Sequence, residues 1–420
     1  MANAVTQSIL VVGGGMSGLA AAIEAAEAGH EVYLVEKNAY LGGRVAQLHQ
    51  YFPKLCPPYC GLEINFRRIK NNPRIRFFTM AEVEAISGQE GDFDVSIKLN
   101  PRYVNEKCTG CGKCAEATSM EIDNPFNYGM DKIKAAYLPH DMAFPMRFVL
   151  DPALVASPDA QKVKDACPYD AIDLTMEPKT VNLKVGAITW ATGWKPYDAT
   201  RLDTLGFKKY PNVVTNVMME RLAAWNGPTQ GKIVRPSDGK APETIAFVQC
   251  AGSRDQNHLP FCSSICCMAS MKQATYVRAQ YPDAKIYIFY IDIRAMDRLE
   301  DFYQKVKEDQ NIQFFKGKVA KIEEDAATKN LVLRVEDTAA GALHQITVDM
   351  AVLATGMQPN TSDSPIPGTV GSDEYGFVAS LEAKPGIYAA GCTRTPVGVS
   401  EAVQDGTAAA LKAIQSIARR

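Results

Sequence analysis

The first apolar run of the chain, "ILVV" at residues 9 to 12, is followed by a glycine turn and then by Ala and Leu at helical spacing as far as Gly29. A second apolar run, "VYLVE", comes next. Strand, turn, helix and strand in that order predict a complete βαβ unit over residues 7 to 36. Alternating apolar residues in "IRFFTMAEVEAISGQEGDFDVSIKL" predict strands that return to the same domain. From Pro101 to about residue 175 the periodicity weakens and Pro, Met, Asn and Cys dominate, as expected of an insertion with its own chemistry. The sheet pattern resumes at "VGAITWATGWKPYD". After the linker "TQGKIVRPSDGKAPE", the run "TIAFVQC", the helical stretch "MASMKQATYVRAQYP" and "KIYIFYIDI" predict a second βαβ unit within residues 213 to 345.

"VDMAVLATGMQPN" echoes "VGAITWATGWKPY". Two apolar strands that end in Ala191-Thr192-Gly193 and Ala354-Thr355-Gly356 predict a chain that crosses twice between two nucleotide-binding-type domains. The closing segment, "PGIYAAGCTRTPVGVSEAVQDGTAAALKAI", is assigned to the first domain. That domain would comprise residues 1–100, 176–212 and 346–420, with the insertion at 101–175 and the second domain at 213–345.

Composition narrows the function classes. The chain has 420 residues, 46% hydrophobic and 22% charged, and a formal charge of -2. That balance gives no clustered cationic footprint for nucleic acid. No run of eighteen apolar residues predicts a membrane span, and the start of the chain has no basic, apolar and small-residue export pattern. A reducing cytoplasm is the expected compartment, where eleven cysteines read as metal ligands or redox groups and not as a disulfide framework. No Ser-His-Asp set, H-E-x-x-H or phosphate-transfer loop is present, so hydrolytic and transferase chemistry have no candidate residues and no side chain is singled out as catalytic.

In "VVGGGMSGLA", Gly13, Gly15 and Gly18 meet the G-x-G-x-x-G template between a strand and a helix. The first glycine permits the tight turn, the second admits a pyrophosphate and the third lets helix and strand pack. Glu36, at the end of the second strand, is placed to accept from a ribose diol, and Gly42, Gly43 and Arg44 follow it. Together these predict dinucleotide binding.

"EKNAYLGGR", the two Ala-Thr-Gly strands and "GIYAAG" resemble the two-domain flavoproteins of the thioredoxin reductase type. The resemblance implies an α/β fold of two Rossmann-like domains with FAD in the first. It implies cofactor contacts from Ser17, Lys37, Gly43 and Arg44, from Ala191, Thr192 and Gly193, and from Gly391, Cys392 and Val399, beside the Gly13 loop and Glu36. One departure stands out: where that family has an acidic residue after the final Ala-Ala-Gly, this chain has Cys392. A buried, inert thiol is the expected state there.

"KCTGCGKC" supplies Cys108, Cys111 and Cys114, three thiolates at the spacing of a cubane loop, and "ACPYDAI" supplies a Cys-Pro at Cys167. A tandem motif would put a cysteine at 118 and a proline at 119, but Thr118 and Ser119 stand there. One [4Fe-4S] cluster is therefore predicted in a ferredoxin-like insertion, with zinc as the competing occupant. Four further cysteines, Cys250, Cys262, Cys266 and Cys267, lie where the second glycine fingerprint would bind a nicotinamide dinucleotide. Adjacent Cys266 and Cys267 make a poor disulfide. Either a second cluster or buried small residues at a helix start would account for them. Cys56 and Cys60, in "CPPYC", are expected to be buried thiols without a site, and Arg67 and Arg68 a solvated basic face.

"GGRVAQL", "PRYVNEKCTGCGKC" and "VQCAGSRDQNHLPFCSSICC" resemble the A-type subunit of heterodisulfide reductase, an iron-sulfur flavoprotein, over essentially the whole chain. "YFPKLCPPYCGLEINF" and "HLPFCSSICCMASMKQATYVRAQYPDA" resemble the corresponding subunit of the quinone-interacting membrane-bound oxidoreductase complex of sulfate reducers. The first resemblance implies that Cys250, Cys262, Cys266 and Cys267 bind a second cluster near the flavin. The second implies an electron-transfer subunit in the cytoplasm, held at the inner face of the membrane by partners. Those partners would be a membrane quinone-interacting subunit together with a second flavin/iron-sulfur subunit. Adenylylsulfate reductase would be the electron acceptor, and flavin-based bifurcation would lie within the family's range. Two alternatives remain: a self-contained NAD(P)H-dependent disulfide reductase, which the missing second fingerprint disfavours, and a zinc-stabilised assembly module.

Overall fold

A computed structural model describes residues 6–338, 340–368, 370–378 and 380–418. The first sheet has six strands in the order Glu382–Lys384, Ile387–Ala389, Ala187–Trp190, Ile9–Val12, Val32–Glu36, Ile75–Thr79. All its pairs are parallel except the edge pair of Glu382–Lys384 with Ile387–Ala389. The side-chain period of a strand divides Ile9–Val12 between two cores. Ile9 and Val11 pack under the helices Met16–Glu27 and Val399–Ala418. Leu10 and Val12 pack against Phe93, Val95 and Ile97. Those last residues belong to a three-stranded antiparallel layer of Ala81–Gln89, Asp92–Leu99 and Lys179–Val185. With both faces covered, every residue of Ile9–Val12 is buried and apolar, the expected signature of a parallel strand.

Leu99 pairs with Lys179 across that layer, so residues 100 to 178 leave and return at one point. They form short helices and two-residue or three-residue strands around a core of Val104, Phe148, Leu150, Leu154, Val163 and Ile172. Cys114 is part of this core.

The second sheet has seven strands in the order Val213–Thr215, Met350–Thr355, Thr244–Ala251, Lys285–Tyr290, Ile312–Glu324, Leu331–Asp337, Ala342–Val348. Its first five are mutually parallel and its last three form an antiparallel meander. Met350–Thr355 differs from expectation. The sequence reading puts it in the segment returning to the first domain, yet it lies between Val213–Thr215 and Thr244–Ala251, deep in the second sheet. A parallel strand can be placed beside any earlier one by its crossover, so chain order does not report sheet order. The return follows Thr355, where Met357–Pro359 pairs with Trp194–Pro196. The two post-Ala-Thr-Gly segments thus run side by side as the double crossing between halves.

Candidate functional site

The chain's main cavity, about 1590 Å³, opens where the C-terminal ends of the first-sheet strands meet the insertion and the second half. Gly13, Gly15, Ser17, Glu36, Lys37, Gly43 and Arg44 line it. So do Ala191, Thr192, Gly193, Cys392 and Val399. Gly18 and Gly391, also expected as contacts, are set behind this wall. A Cβ on Gly18 would stand 1.7 Å from the Gly13 carbonyl oxygen, and one on Gly391 would stand 2.0 Å from Ser17 Oγ. Both are spacers that let helix Met16–Glu27 and the final helix approach the loop. Gly13 itself takes φ +106, and a Cβ there would meet the Ala191 oxygen at 2.2 Å.

Glu36 is buried. Its carboxylate accepts from the Gly14 amide at 2.6 Å and from the Asn38 amide and side chain, both at 2.7 Å, which fixes the glycine turn. Burial raises its pKa above the usual carboxylate value, against the opposing effect of those donors. Lys37 points outward and pairs with Glu82 at 3.3 Å. Arg44 donates to the Trp194 carbonyl at 2.5 Å and to the Tyr128 hydroxyl at 3.2 Å, so it bridges the first domain, the crossover and the insertion. On the opposite lip the Gly193 amide donates to Thr393 Oγ1 at 3.0 Å, and Asn360 Nδ2 donates to the Thr192 carbonyl at 2.6 Å. Asp405 accepts from the Gly391 amide at 2.7 Å and pairs with Arg394, an acidic contact from the final helix near the position where the sequence lacks one.

The second half closes the cavity with charges. Glu220 and Lys272, 3% and 5% exposed, form a buried ion pair at 3.1 Å, and both line the cavity. Glu220 also accepts from the His49 amide, Gln273 and the Tyr276 hydroxyl. Arg221 is fully buried, donates to Asn127, Asn226 and the Gln47 carbonyl, and stacks over Phe126 at 4.5 Å. Loss of water pushes its pKa down to about 10. These three residues, with Tyr128, are the site residues that sequence reasoning missed. "MMERLAA" and "MKQATY" read as ordinary helical faces, and only their placement between two halves buries the charges.

Cys108, Cys111, Cys114 and Cys167 line one small cavity together with Val104, Phe148, Ala171 and Ile172. Gly110 and Gly112 both take positive φ, which lets three cysteines turn toward a common point. Cys114 lies in the insertion core, and burial, with the other thiols nearby, pushes its pKa up to about 12. The Ala171 amide donates to Cys167 Sγ at 3.4 Å, the kind of bond that stabilises a thiolate. Four thiols around an apolar pocket fit an iron-sulfur cluster, which would draw off their protons.

The second set is built differently. Cys250 takes φ +56, within the stretch from Val248 to Ala251 where the register between Thr244–Ala251 and Met350–Thr355 shifts. The chain then loops out, and Ser253 and Leu259 bridge in parallel. It returns through Cys262 to Cys266 and Cys267, which open the helix Cys266–Gln280. Burial raises the pKa of Cys250 to about 11 and that of Cys266 well above the ordinary thiol value, and the charges of the other members add to both. Cys266 and Cys267 are buried at the start of that helix, and Cys250 and Cys262 are half-buried ahead of it. The positive end of a fifteen-residue helix faces them, which suits an anionic cluster. Residues Ser264, Ile265, Met268, Ala269, Lys272 and Gln273 line the main cavity, so one helix presents the cysteine pair and a wall of the dinucleotide groove within two turns. Among the described residues, no group of three or more His, Cys, Asp and Glu side chains is placed to hold a single metal ion.

Residues 8–57 match the family model of FAD dependent oxidoreductases. Over 99% of its length the chain is 40% identical to one of the A-type iron-sulfur subunits of the CoB–CoM heterodisulfide reductase of Methanopyrus kandleri. Over 97% it is 36% identical to the corresponding subunit of Methanocaldococcus jannaschii. The chain is a relative of the heterodisulfide reductase A-type subunits. It spans 65% and 64% of those two proteins' own lengths, less than two thirds. Thioredoxin reductase from T. acidophilum superposes over 97% of this chain and 98% of its own with a TM-score of 0.54 at 16% identity. The Lactococcus lactis enzyme covers 99% of this chain and 100% of its own, with a TM-score of 0.53 at 14% identity. These likenesses show the fold: two Rossmann-like halves of the thioredoxin reductase type.

Cys392 is buried in this heterodisulfide reductase-like chain, with its thiol donating to the Val397 carbonyl at 3.6 Å, and burial pushes its pKa up to about 11. It lines the main cavity, and its burial disfavours the thiolate, the nucleophilic form. Cys56 and Cys60, expected to be buried, are half-buried and exposed respectively. Pro57 and Pro58 start a helix at the surface, so Cys60 falls on its first turn and faces solvent. Arg68 is not a free basic face: it reaches Glu27 at 2.8 Å and Glu24 at 3.5 Å.

Proposed function

We propose that the chain is an FAD-binding and iron-sulfur electron-transfer subunit of an oxidoreductase complex, with two [4Fe-4S] clusters, one at each cysteine set. The observation that carries this reading is the helix Cys266–Gln280, whose first turn holds two of the thiols and whose next residues wall the dinucleotide groove. A bound flavin takes up two electrons together and exchanges them singly with one-electron iron-sulfur centres. The chain's own residues supply position. The Gly13 loop offers the amides of helix Met16–Glu27 to a pyrophosphate, and Glu36 faces the groove at the expected ribose. The Glu220–Lys272 pair places fixed charge in the wall of the groove.

The nicotinamide-dependent alternative meets a filled site. Gly252, in the turn that follows Thr244–Ala251, packs on the Tyr197 ring, where a Cβ would stand 2.5 Å from the ring. Ser263 Oγ, at the foot of the next helix, is bonded to Ser253 and to the Met357 amide. A loop closed by these bonds and by the Ser253–Leu259 bridge therefore stands where a second glycine fingerprint would turn. Resemblance extends the proposal to a place between the quinone pool and the enzymes of sulfate reduction, with adenylylsulfate reductase as acceptor and membrane attachment through a partner. Among the described residues no helix is long and apolar enough to cross a membrane.

Two measurements test the reading. Purified anaerobically, the protein should contain FAD with iron and acid-labile sulfide in equal amounts, and zinc alone would refute the clusters. Rapid mixing with NADH or NADPH should leave the flavin oxidised on the time scale of turnover, and fast bleaching by either would favour the reductase.

A further inference from the structure

Arg102 lies between the strand Asp92–Leu99 and the Cys108 loop and is only 6% exposed. Its guanidinium donates to the carbonyls of Phe148 at 3.0 Å, Ala39 at 2.8 Å and Arg147 at 2.9 Å, and to Thr79 Oγ1 at 3.0 Å. All four acceptors are neutral. The ionisable groups that act on it are Arg147, which repels it, and Cys108 and Tyr137. Arg147 has its own carboxylate, Glu106 at 3.3 Å, and burial keeps the Tyr137 phenol protonated. A buried cation without a counter-ion is unfavourable, and proteins rarely retain one unless something else balances it. Phe148, which accepts from Arg102 through its carbonyl, forms part of the wall around the four thiols.

We propose that Arg102 is the fixed counter-charge of the iron-sulfur centre held by Cys108, Cys111, Cys114 and Cys167, and that it favours the reduced form of that centre. The proposal rests on the assignment of that set to a cluster. Four thiolates outweigh the positive charge of the iron-sulfur core, so the centre is an anion and gains one more negative charge on reduction. A cation held close by in a poorly polarisable surrounding attracts the reduced form more than the oxidised one. The same side chain joins Ala39 and Thr79 of the first domain to the insertion, so it positions the centre as well as biasing it.

An anaerobic redox titration of the complete flavin-loaded and iron-loaded protein, followed by EPR, reads the effect directly. Arg102→Met should shift the midpoint of one centre to more negative potential with iron content unchanged. Arg102→Lys loses the same forked geometry but keeps the charge, so its midpoint should stay near that of the wild type. An Arg102→Met midpoint equal to the wild type, or an Arg102→Lys shift as large as that of Met, overturns the proposal. If the Met variant does not accumulate as folded protein, Thr79→Asp carries the test. By offering the guanidinium a carboxylate it should shift the midpoint in the same direction, and an unchanged midpoint overturns the proposal. The underlying assignment fails separately, if Cys111→Ser leaves every EPR signal of the protein intact.

Discussion

Lys272→Met isolates a buried charge that the second half of the chain presents to the cofactor groove. Lys272 and Glu220 stand 3.1 Å apart at 5% and 3% exposure, so neither can turn to water. Met occupies nearly the volume of the lysine stem, which leaves packing almost unchanged and makes the loss electrostatic. Breaking a buried pair from one side costs about 3–5 kcal/mol. The lower end applies here, because the carboxylate keeps the His49 amide at 2.9 Å, Gln273 at 2.7 Å and the Tyr276 hydroxyl at 3.3 Å. Glu220→Gln/Lys272→Met removes both charges and should recover much of the loss. Urea unfolding of flavin-loaded wild type, single and double variants at pH 8, followed by tryptophan fluorescence, measures both effects. A Lys272→Met midpoint indistinguishable from wild type, or a double variant no more stable than Lys272→Met, would refute the argument.

Gly18→Ala puts a Cβ 1.7 Å from the Gly13 carbonyl oxygen, so helix and loop must separate; FAD affinity should fall at least about tenfold by fluorescence titration. His140 stacks on Phe126 and its ring nitrogen Nε2 has no partner; burial pushes its pKa down to about 4. A depressed histidine stabilises above its unfolded pKa of about 6.5 and loses that contribution as pH falls toward about 4, by up to about 3 kcal/mol. Acid unfolding over that window should flatten in His140→Phe, and an unchanged profile would contradict the burial argument. Thr393→Val strands the Gly193 amide and should weaken FAD retention by about 1 kcal/mol or more, read in the same titration.

The parts of the molecule legible in the sequence are those whose chemistry is local. The Gly13 loop and Glu36 lie in one βαβ unit, and the turn constrains each residue by its own φ or its nearest contact. The grouping of Cys108, Cys111, Cys114 and Cys167 around one small cavity is legible for a related reason: three follow one another at short spacing, and even Cys167, far along the chain, is flagged by the proline after it. What spacing does not show is which residues two folded halves bury between them. Glu220, Arg221 and Lys272 look like solvent-facing positions of ordinary helices; when helices Asn216–Ala223 and Cys266–Gln280 meet the loop at Gln47–Gln50, Glu220 and Lys272 become a wall of the groove and Arg221 is buried behind it. The hydrophobic pattern of Met350–Thr355 suits any parallel sheet, so sequence alone assigns it to the wrong one. Cys60 reads as an inside position because small thiols usually are, whereas the prolines before it begin a surface helix.

The central claim is that the cysteines at 250, 262, 266 and 267 hold a cluster beside the flavin, and Cys267→Ala tests it most directly. Iron, acid-labile sulfide, FAD and EPR spectra should be measured on anaerobically purified wild type and variant. The account predicts that the variant loses about four iron atoms and one set of cluster signals while it retains its FAD and the signals of the Cys108 set. A variant with the full iron content and every signal of the wild type would contradict it.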